Sequence, residues 1–444
     1  MRKNPEHFVW LAAFWIAVYL LLTALPLFLL LFSPAPSPRG FWRDFSAALG
    51  FAGLAMMMLQ FALTARLQTV KAPFGSDLVY HFHRQISQVA FGLILAHPLI
   101  LFVTTPSTVS LLKFWNAPWR ARFAVAALAI LIVQVGSSIW RRQLRLDYDR
   151  WRFWHGVLAS AAVVLGLLHM MKVGHFVNLP WKRSLWLSYG ALWVGLLAYV
   201  RLLKPWLALR QPYEVVAVNA ERGQAWSLTL RAKGHHGLRF NPGQFAWLTL
   251  WHSPFLAKDH PFSFSASAER PELLRFTIKE LGDFTATIKQ AVPGQLAWLD
   301  GPHGAFSVDR YPHAPGYVFI AGGIGITPMM SMLHTLADRR DPRPLLLLYA
   351  NRDLDSITFR EEIEQLAPRL NLRVAHVLDR PPENWTGESG FINDAVLQRQ
   401  LPEEFTDLDY FICGPPPMMN AVEQLLLRRG IPFGQIHTER FNLV

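Results

Sequence analysis

The first half of the chain is a succession of long apolar runs separated by short polar connectors, and the second half is not. A helix needs about 20 apolar residues to cross the hydrocarbon core of a bilayer. Six runs reach that length: 8–32, 45–65, 82–103, 121–140, 153–171 and 184–203. Pro, Arg and Trp fill the connectors, as in Ser33-Pro34-Ala35-Pro36 and Trp140-Arg141-Arg142. Trp and Tyr gather at the ends of the runs, as interfacial belts do. The run from Phe8 to Phe32 is too long for a signal-peptide core and lacks a small-residue cleavage pattern, so it reads as a first span. The pattern predicts an all-α six-helix transmembrane bundle over residues 1–210.

From Gln211 the apolar positions alternate. Tyr213–Val218 and Ala225–Arg231 read as strands, and more short strands follow to about residue 308. This predicts an antiparallel β-barrel over 211–312. After Gly316 the order becomes strand, Gly-rich turn, helix, strand, helix, which predicts an α/β domain with a parallel sheet over 313–444. The expected fold class is therefore multidomain.

Charge sharpens the division. Residues 1–210 hold 21 Lys and Arg against 5 Asp and Glu, and residues 211–444 hold 22 against 26. The basic balance belongs to the apolar half, where lipid and topology account for it and nucleic acid does not. An even number of spans puts both termini on one side. Of the cations in the first half, 13 fall on that side and 8 on the other, which predicts a multi-pass protein of the cell membrane with both termini in the cytoplasm. The single cysteine, Cys413, excludes an intrachain disulfide and a four-thiolate metal site.

Candidate chemistry begins with histidine. His83 and His97 lie in the third run, His155 and His169 in the fifth, and each pair is 14 residues apart. Fourteen residues make about four helical turns, so both members of a pair share a face roughly 21 Å apart along the axis. The third and fifth spans run in the same direction. His83 then levels with His155, and His97 with His169, giving two places where imidazoles face each other as bis-histidine haem ligation requires. A hydrogen-bonded bundle histidine is the plainer alternative, but ionisable residues inside a bilayer are rare and usually functional. His81 competes with His83 but breaks the matched spacing.

In the second half, His260-Pro261-Phe262-Ser263-Phe264-Ser265 reads as a barrel strand. Phe262, Ser263 and His260 suit a flavin's needs for a flat aromatic, a hydroxyl near N5 and a phosphate donor. Ile278-Lys279-Glu280-Leu281-Gly282-Asp283-Phe284-Thr285 reads as strand, turn and helix start, suited to a pyrophosphate. Gly301-Pro302-His303-Gly304 reads as a turn leaving the barrel. Ala321-Gly322-Gly323-Ile324-Gly325-Ile326-Thr327-Pro328 follows the strand Tyr317–Ile320 and opens a helix, the setting in which glycines let backbone approach phosphate. Cys413-Gly414-Pro415-Pro416-Pro417-Met418 follows the strand Asp409–Ile412, at the edge where nucleotides bind in open α/β sheets, and puts a thiol beside the nicotinamide.

Together these motifs carry a resemblance. The soluble half resembles the ferredoxin–NADP reductase superfamily. The chain from about residue 40 looks like the ferric reductase and NADPH oxidase group, in which a six-helix haem domain precedes that module. The resemblance implies FAD, two b-type haems and NADPH or NADH as cofactors. It implies Phe262 against the flavin ring, Ser263 facing N5, and Gly282 and Thr285 at the pyrophosphate. Glu439-Arg440-Phe441 looks like the C-terminal signature whose aromatic, here Phe441, covers the flavin face that nicotinamide must reach. The loop Ala350-Asn351-Arg352-Asp353 would meet the adenosine 2′ position, and Arg352 suits a 2′-phosphate. Where superoxide-releasing oxidases often carry a second histidine, this chain has Leu101. The expected activity is electron transfer from NAD(P)H to an outer acceptor, either oxygen or a ferric chelate. A reductase feeding a protein partner or quinone is the first alternative. A non-enzymatic membrane scaffold or transporter with a nucleotide-sensing module, which would bind no haem, is the second.

Overall fold

The computed structural model describes residues 5–31, 39–67, 76–256, 258–401 and 406–441, and contacts divide it into two units near Lys204. The first unit is helical: α1 (Pro5–Leu31), α2 (Phe41–Thr64), α3 (Ser76–Thr104), α4 (Trp119–Ile139), α5 (Tyr148–Val173) and α6 (Pro180–Ala198). All six are long and apolar enough to cross a membrane. Several begin before the apolar runs do, because their first turns hold interfacial residues such as Trp42, Arg43 and Tyr148. Asp147 caps α5 by accepting from the Arg150 N–H at 3.0 Å, and Gly174 ends that helix in the left-handed region at φ 69°.

Bundle packing sets the levels of side chains. Leu54, Met58, Val163, Met170, Trp186, Tyr189 and Trp193 form a buried cluster, while Val9, Trp10, Phe14, Val133 and Leu187 remain exposed, as lipid-facing residues do. Helices in lipid associate by close approach rather than by a hydrophobic drive. A Cβ on Gly53 would lie 2.6 Å from Ile94 Cγ1, so this glycine lets α2 and α3 touch.

The second unit starts with α7 (Lys204–Leu209), tied to the first sheet by the ion pair of Lys204 Nζ with Asp300 Oδ1 at 2.9 Å. That sheet is antiparallel, in the order β4-β3-β6-β1-β2-β5, from β1 (Tyr213–Glu221), β2 (Ala225–Ala232), β3 (Phe245–Leu250), β4 (His260–Ser263), β5 (Leu273–Lys279) and β6 (Leu296–His303). The expected barrel is not closed. The edge strands β4 and β5 form no ladder; one isolated bridge joins Phe264, just past β4, to Phe276, because β4 is only four residues long and Pro261 has no N–H to extend a ladder. Gly301, Pro302 and His303, expected in a turn, instead complete β6. After β5 a Gly282 turn opens the short helix α8 (Asp283–Thr287).

The second sheet is parallel, in the order β10-β9-β8-β7-β11-β12: β7 (Tyr317–Gly322), β8 (Leu345–Asn351), β9 (Leu372–Leu378), β10 (Glu388–Ser389), β11 (Asp409–Cys413) and β12 (Ile436–Glu439). Its central strands are apolar on both faces, as a sheet covered by helices on both sides demands. The covering helices are α9 (Thr327–Asp338), α10 (Arg360–Leu366), α11 (Asp394–Gln400) and α12 (Pro416–Arg428). The strand order reverses at β7, between β8 and β11, so the ends of these three strands border the crevice in which such sheets take ligands.

Candidate functional site

The four membrane histidines stand as two facing pairs. Ring centroids of His83 and His155 are 6.4 Å apart, and those of His97 and His169 are also 6.4 Å apart. Two metal–nitrogen bonds of about 2 Å and two half-rings of about 1.1 Å sum to roughly 6.2 Å, so each gap has room for one metal ion between the rings. His81, the competitor, is exposed.

Hydrogen bonds decide which nitrogen is available. Nδ1 of His83 meets Gln60 Oε1 at 2.8 Å, Nδ1 of His97 the Ser46 carbonyl at 2.9 Å, and Nδ1 of His169 the Arg120 carbonyl at 2.7 Å. All three partners are acceptors, so each Nδ1 carries the hydrogen. Nδ1 of His155 meets Ser138 Oγ at 3.3 Å, and that hydroxyl donates its own hydrogen to the Gln134 carbonyl at 2.6 Å. Ser138 therefore accepts from His155. All four rings are held in the tautomer whose Nε2 offers a lone pair, the arrangement typical of metal-ligating histidine. Gln60 is itself fixed by a 3.4 Å contact from Nε2 to the Tyr19 hydroxyl.

Around β4 the structure gathers a flat aromatic surface. His260 stacks on Phe284 at 3.8 Å and 23°, and Phe262 lies nearly parallel to Phe284 at 6.0 Å and 15°. Trp251 meets the same ring edge-on at 5.7 Å. The Ser263 hydroxyl is buried with no hydrogen-bond partner among the described residues. A buried unpaired hydroxyl is costly unless a ligand satisfies it, so this site fits a flavin's polar edge. Thr285 Oγ1 accepts from the N–H groups of Leu281 and Gly282 at 2.8 and 2.9 Å, so those two amides are engaged by their own turn, beside the exposed Asp283. Lys279 ends β5 nearby.

Other residues of these motifs serve the core instead. Phe264 is fully buried and stacks on Phe240 at 4.1 Å, and Ile278 is buried in the same cluster. Ser265 is fully buried in a network with Thr277 at 3.0 Å and with Arg275. Strand alternation alone would put Phe262 and Phe264 on one face, but β4 ends at Ser263, between them, so the two rings part.

At the crevice, Gly322, Asn351 and Cys413 end β7, β8 and β11. The glycines there divide into two kinds. A Cβ on Gly325 would lie 2.4 Å from the Cys413 carbonyl, and one on Gly414 2.7 Å from Met418 Cε. One on Gly322 would lie 2.7 Å from Met418 Sδ and 2.8 Å from Pro415 Cδ, so these three let the two loops interlock. Gly323 alone has open space beside it and a left-handed φ of 53°. Thr327 and Pro328 are buried in the first turn of α9, where the Thr327 hydroxyl donates to the Ile324 carbonyl at 2.8 Å.

Cys413 is wholly buried, and burial, helped by the charge of Glu439 beside it in register, pushes its thiol well up. Phe441 is half-exposed, the last described residue. The Asp353 carboxylate turns onto its own loop, accepting from the Ser356 hydroxyl at 2.7 Å and from the Ser356 N–H at 2.9 Å; the hydroxyl's hydrogen bond first, then that of the N–H and the charges of Arg352 and Arg380, hold it below its usual range against desolvation. Arg380 lies next to Arg352, its N–H donating to the Arg352 carbonyl at 2.7 Å. Sequence reasoning missed Arg380, Trp251, Gln60, Ser138 and the two carbonyls at Ser46 and Arg120. Carbonyl acceptors leave no mark in a sequence, and Arg380 is 28 residues from Arg352 on the next strand's end.

Three family models match the chain in succession. Residues 49–166 match a ferric reductase like transmembrane component, 212–305 an FAD-binding domain, and 319–424 an oxidoreductase NAD-binding domain. NADH-cytochrome b5 reductase 1 of Pyricularia oryzae is 32% identical over 183 residues, 39% of this chain and 59% of that protein. The glycine betaine monooxygenase reductase subunit of Chromohalobacter salexigens is 30% identical over 209 residues, 46% of this chain and 56% of that protein. The chain thus spans a little over half the length of these curated relatives. Among solved structures, the ferredoxin reductase in carbazole 1,9a-dioxygenase is 26% identical, with a TM-score of 0.46, covering 52% of this chain and 69% of that one.

Proposed function

We propose that this chain, which has the three-part architecture of the ferric reductase and NADPH oxidase family, carries electrons from NAD(P)H through FAD and two b-type haems across a membrane. The acceptor, at the far side, is oxygen or a ferric chelate. The observation that carries the reading is the repeated 6.4 Å spacing of two imidazole pairs, each ring with its Nδ1 hydrogen held by an acceptor.

Bound flavin would take two electrons as a hydride and release them singly, and bound haem would relay one electron at a time. The protein's own residues do the rest. His83 with His155, and His97 with His169, would hold one iron each through Nε2. Gln60, Ser138 and the carbonyls of Ser46 and Arg120 keep a proton on each Nδ1 and fix the ring planes. Ser263 offers a hydrogen bond at the flavin's reacting edge, while Phe262, Phe284 and His260 orient flat rings. Gly323 gives backbone access to phosphate, and Arg352 with Arg380 receives a 2′-phosphate, which favours NADPH over NADH. The apolar helices exclude water from the electron path. Both termini lie in the cytoplasm, where the nucleotide is.

A visible spectrum of the detergent-purified full chain tests this. Two low-spin haems per chain, reduced on adding NADPH without oxygen, are expected. A colourless protein, or one haem per chain, overturns it.

A further inference from the structure

The sixth apolar run does not stop where α6 stops. By length and hydropathy it continues to Leu209, through the π-helical turn Tyr199–Leu203 and the whole of α7. Yet α7 belongs to the second unit, where Lys204 ties it to Asp300 of β6.

The faces of α7 are the wrong way round for water. Pro205 is buried and Ala208, three residues on, is half-buried, so this side packs on the unit. Trp206, Leu207 and Leu209 are exposed, as is Arg210. A helix on a watery surface turns its polar residues outward and its apolar ones inward. Here the outward residues are mostly apolar. Arg210 folds back over the Trp206 ring, its Cζ 3.6 Å from the centroid, a cation–aromatic pairing that suits the headgroup level of a bilayer.

A second apolar edge lies against α7. The single turn Pro254–Leu256, which follows β3, contacts this helix and exposes Phe255 and Leu256, the latter by 58%. Its backbone asks little of water. Pro254 has no N–H, the Phe255 N–H donates to Ser253 Oγ at 3.4 Å, and the Leu256 N–H donates to the Ser253 carbonyl at 3.0 Å. A tip whose amides are all engaged can enter a region poor in water.

We propose that Phe255 and Leu256, with Trp206, Leu207 and Leu209, form a lipid-binding edge that seats the antiparallel sheet on the bilayer the chain spans. The occupant is the boundary between headgroups and acyl chains, into which the apolar residues of surface-bound elements reach about 5–10 Å. The covalent continuity of α7 with a span favours lipid over a protein partner. So does the flanking charge, Arg210 on one element and Lys258 two residues past the other, which complements anionic headgroups. The proposal rests on the membrane-spanning reading and on no step of electron transfer.

The test uses the full-length protein in nanodiscs, with or without phosphatidylcholine carrying a doxyl quencher high on its acyl chain. Cys413 is the only cysteine and is buried, so an introduced cysteine takes a bimane label selectively. Three positions are compared: Leu256→Cys, Leu187→Cys on α6, which is 64% exposed, and Phe391→Cys beside the second sheet, which is 75% exposed. Doxyl lipid should quench the label at 256 about half as strongly as at 187 or more, and hardly at all at 391. Phe255→Cys should behave as Leu256→Cys, which keeps the test decisive should one variant fold poorly. Labels at 255 and 256 quenched no more than at 391 overturn the lipid edge alone, and mean that water or another protein covers it. A label at 187 that escapes quenching overturns the membrane-spanning reading as well.

Discussion

Gln60 Oε1 lies 2.8 Å from Nδ1 of His83, and no other side-chain amide touches a membrane histidine among the described residues. Outer-shell partners of ligating histidines typically alter metal affinity by about 10- to 100-fold when removed. Gln60→Leu should therefore weaken one haem and shift its midpoint potential while the other stays unchanged. Redox titration of the purified variant checks this. Two unshifted potentials would mean that Gln60 serves only packing.

His97→Leu should remove one haem equivalent and stop transfer to distal acceptors, while NADPH still reduces the remaining haem. Pyridine haemochrome content against protein mass reads the outcome. Retention of both haems would refute the pairing of His97 with His169.

Ser263→Ala removes the buried hydroxyl that no described residue satisfies. FAD content should stay near wild type, since an alanine leaves the stacking surface intact. The hydride-transfer rate should fall by about tenfold to a hundredfold, the worth of one hydrogen bond to a charged or polarised group at roughly 1.5–3 kcal/mol. Stopped-flow flavin reduction under anaerobic conditions measures it. An unchanged rate would place the flavin edge elsewhere.

Gly323 and Gly325 should respond differently to alanine. At Gly325 the new Cβ meets the Cys413 carbonyl at 2.4 Å, and overpacking of this kind costs about 1–3 kcal/mol, so thermal stability should drop. At Gly323 nothing is in the way, so stability should fall by only about 1 kcal/mol for the left-handed backbone, and KM for the nucleotide should rise. Reversed results would show that the loop binds phosphate through Gly325 instead.

Arg352 and Arg380 share the end of the sheet with Asp353. Either arginine changed to alanine should weaken NADPH binding and leave NADH almost unaffected, the double variant more than either single one. Steady-state dye reduction with both nucleotides decides. An equal loss for both nucleotides would mean that these arginines do not read the 2′-phosphate.

Legibility in the sequence followed the range of the forces involved. Apolar runs and the 14-residue histidine spacing are short-range patterns on single helices, so the six helices and the level of each histidine were readable. Strand, turn and helix alternation likewise exposed the parallel sheet. Long-range closure was not readable: the barrel stays open at β4 because that strand is too short to ladder with β5. Within the flavin motif, the sequence could not tell Ser263 from Ser265. The hydroxyl of one is buried with no hydrogen-bond partner among the described residues and the other is tied to Thr277, a difference made by a partner strand. The glycines of the crevice read as phosphate binders, yet Gly322, Gly325 and Gly414 are needed for one loop to pass another.

The two histidine levels differ in what holds them. At one level the acceptors are side chains, Gln60 and Ser138; at the other they are main-chain carbonyls of Ser46 and Arg120. A point mutation reaches the first pair directly, whereas only a shift or rotation of α2 or α4 can reach the second. Divergence within a lineage of such chains would then retune the His83–His155 rung in single steps and leave the His97–His169 rung as inherited ground.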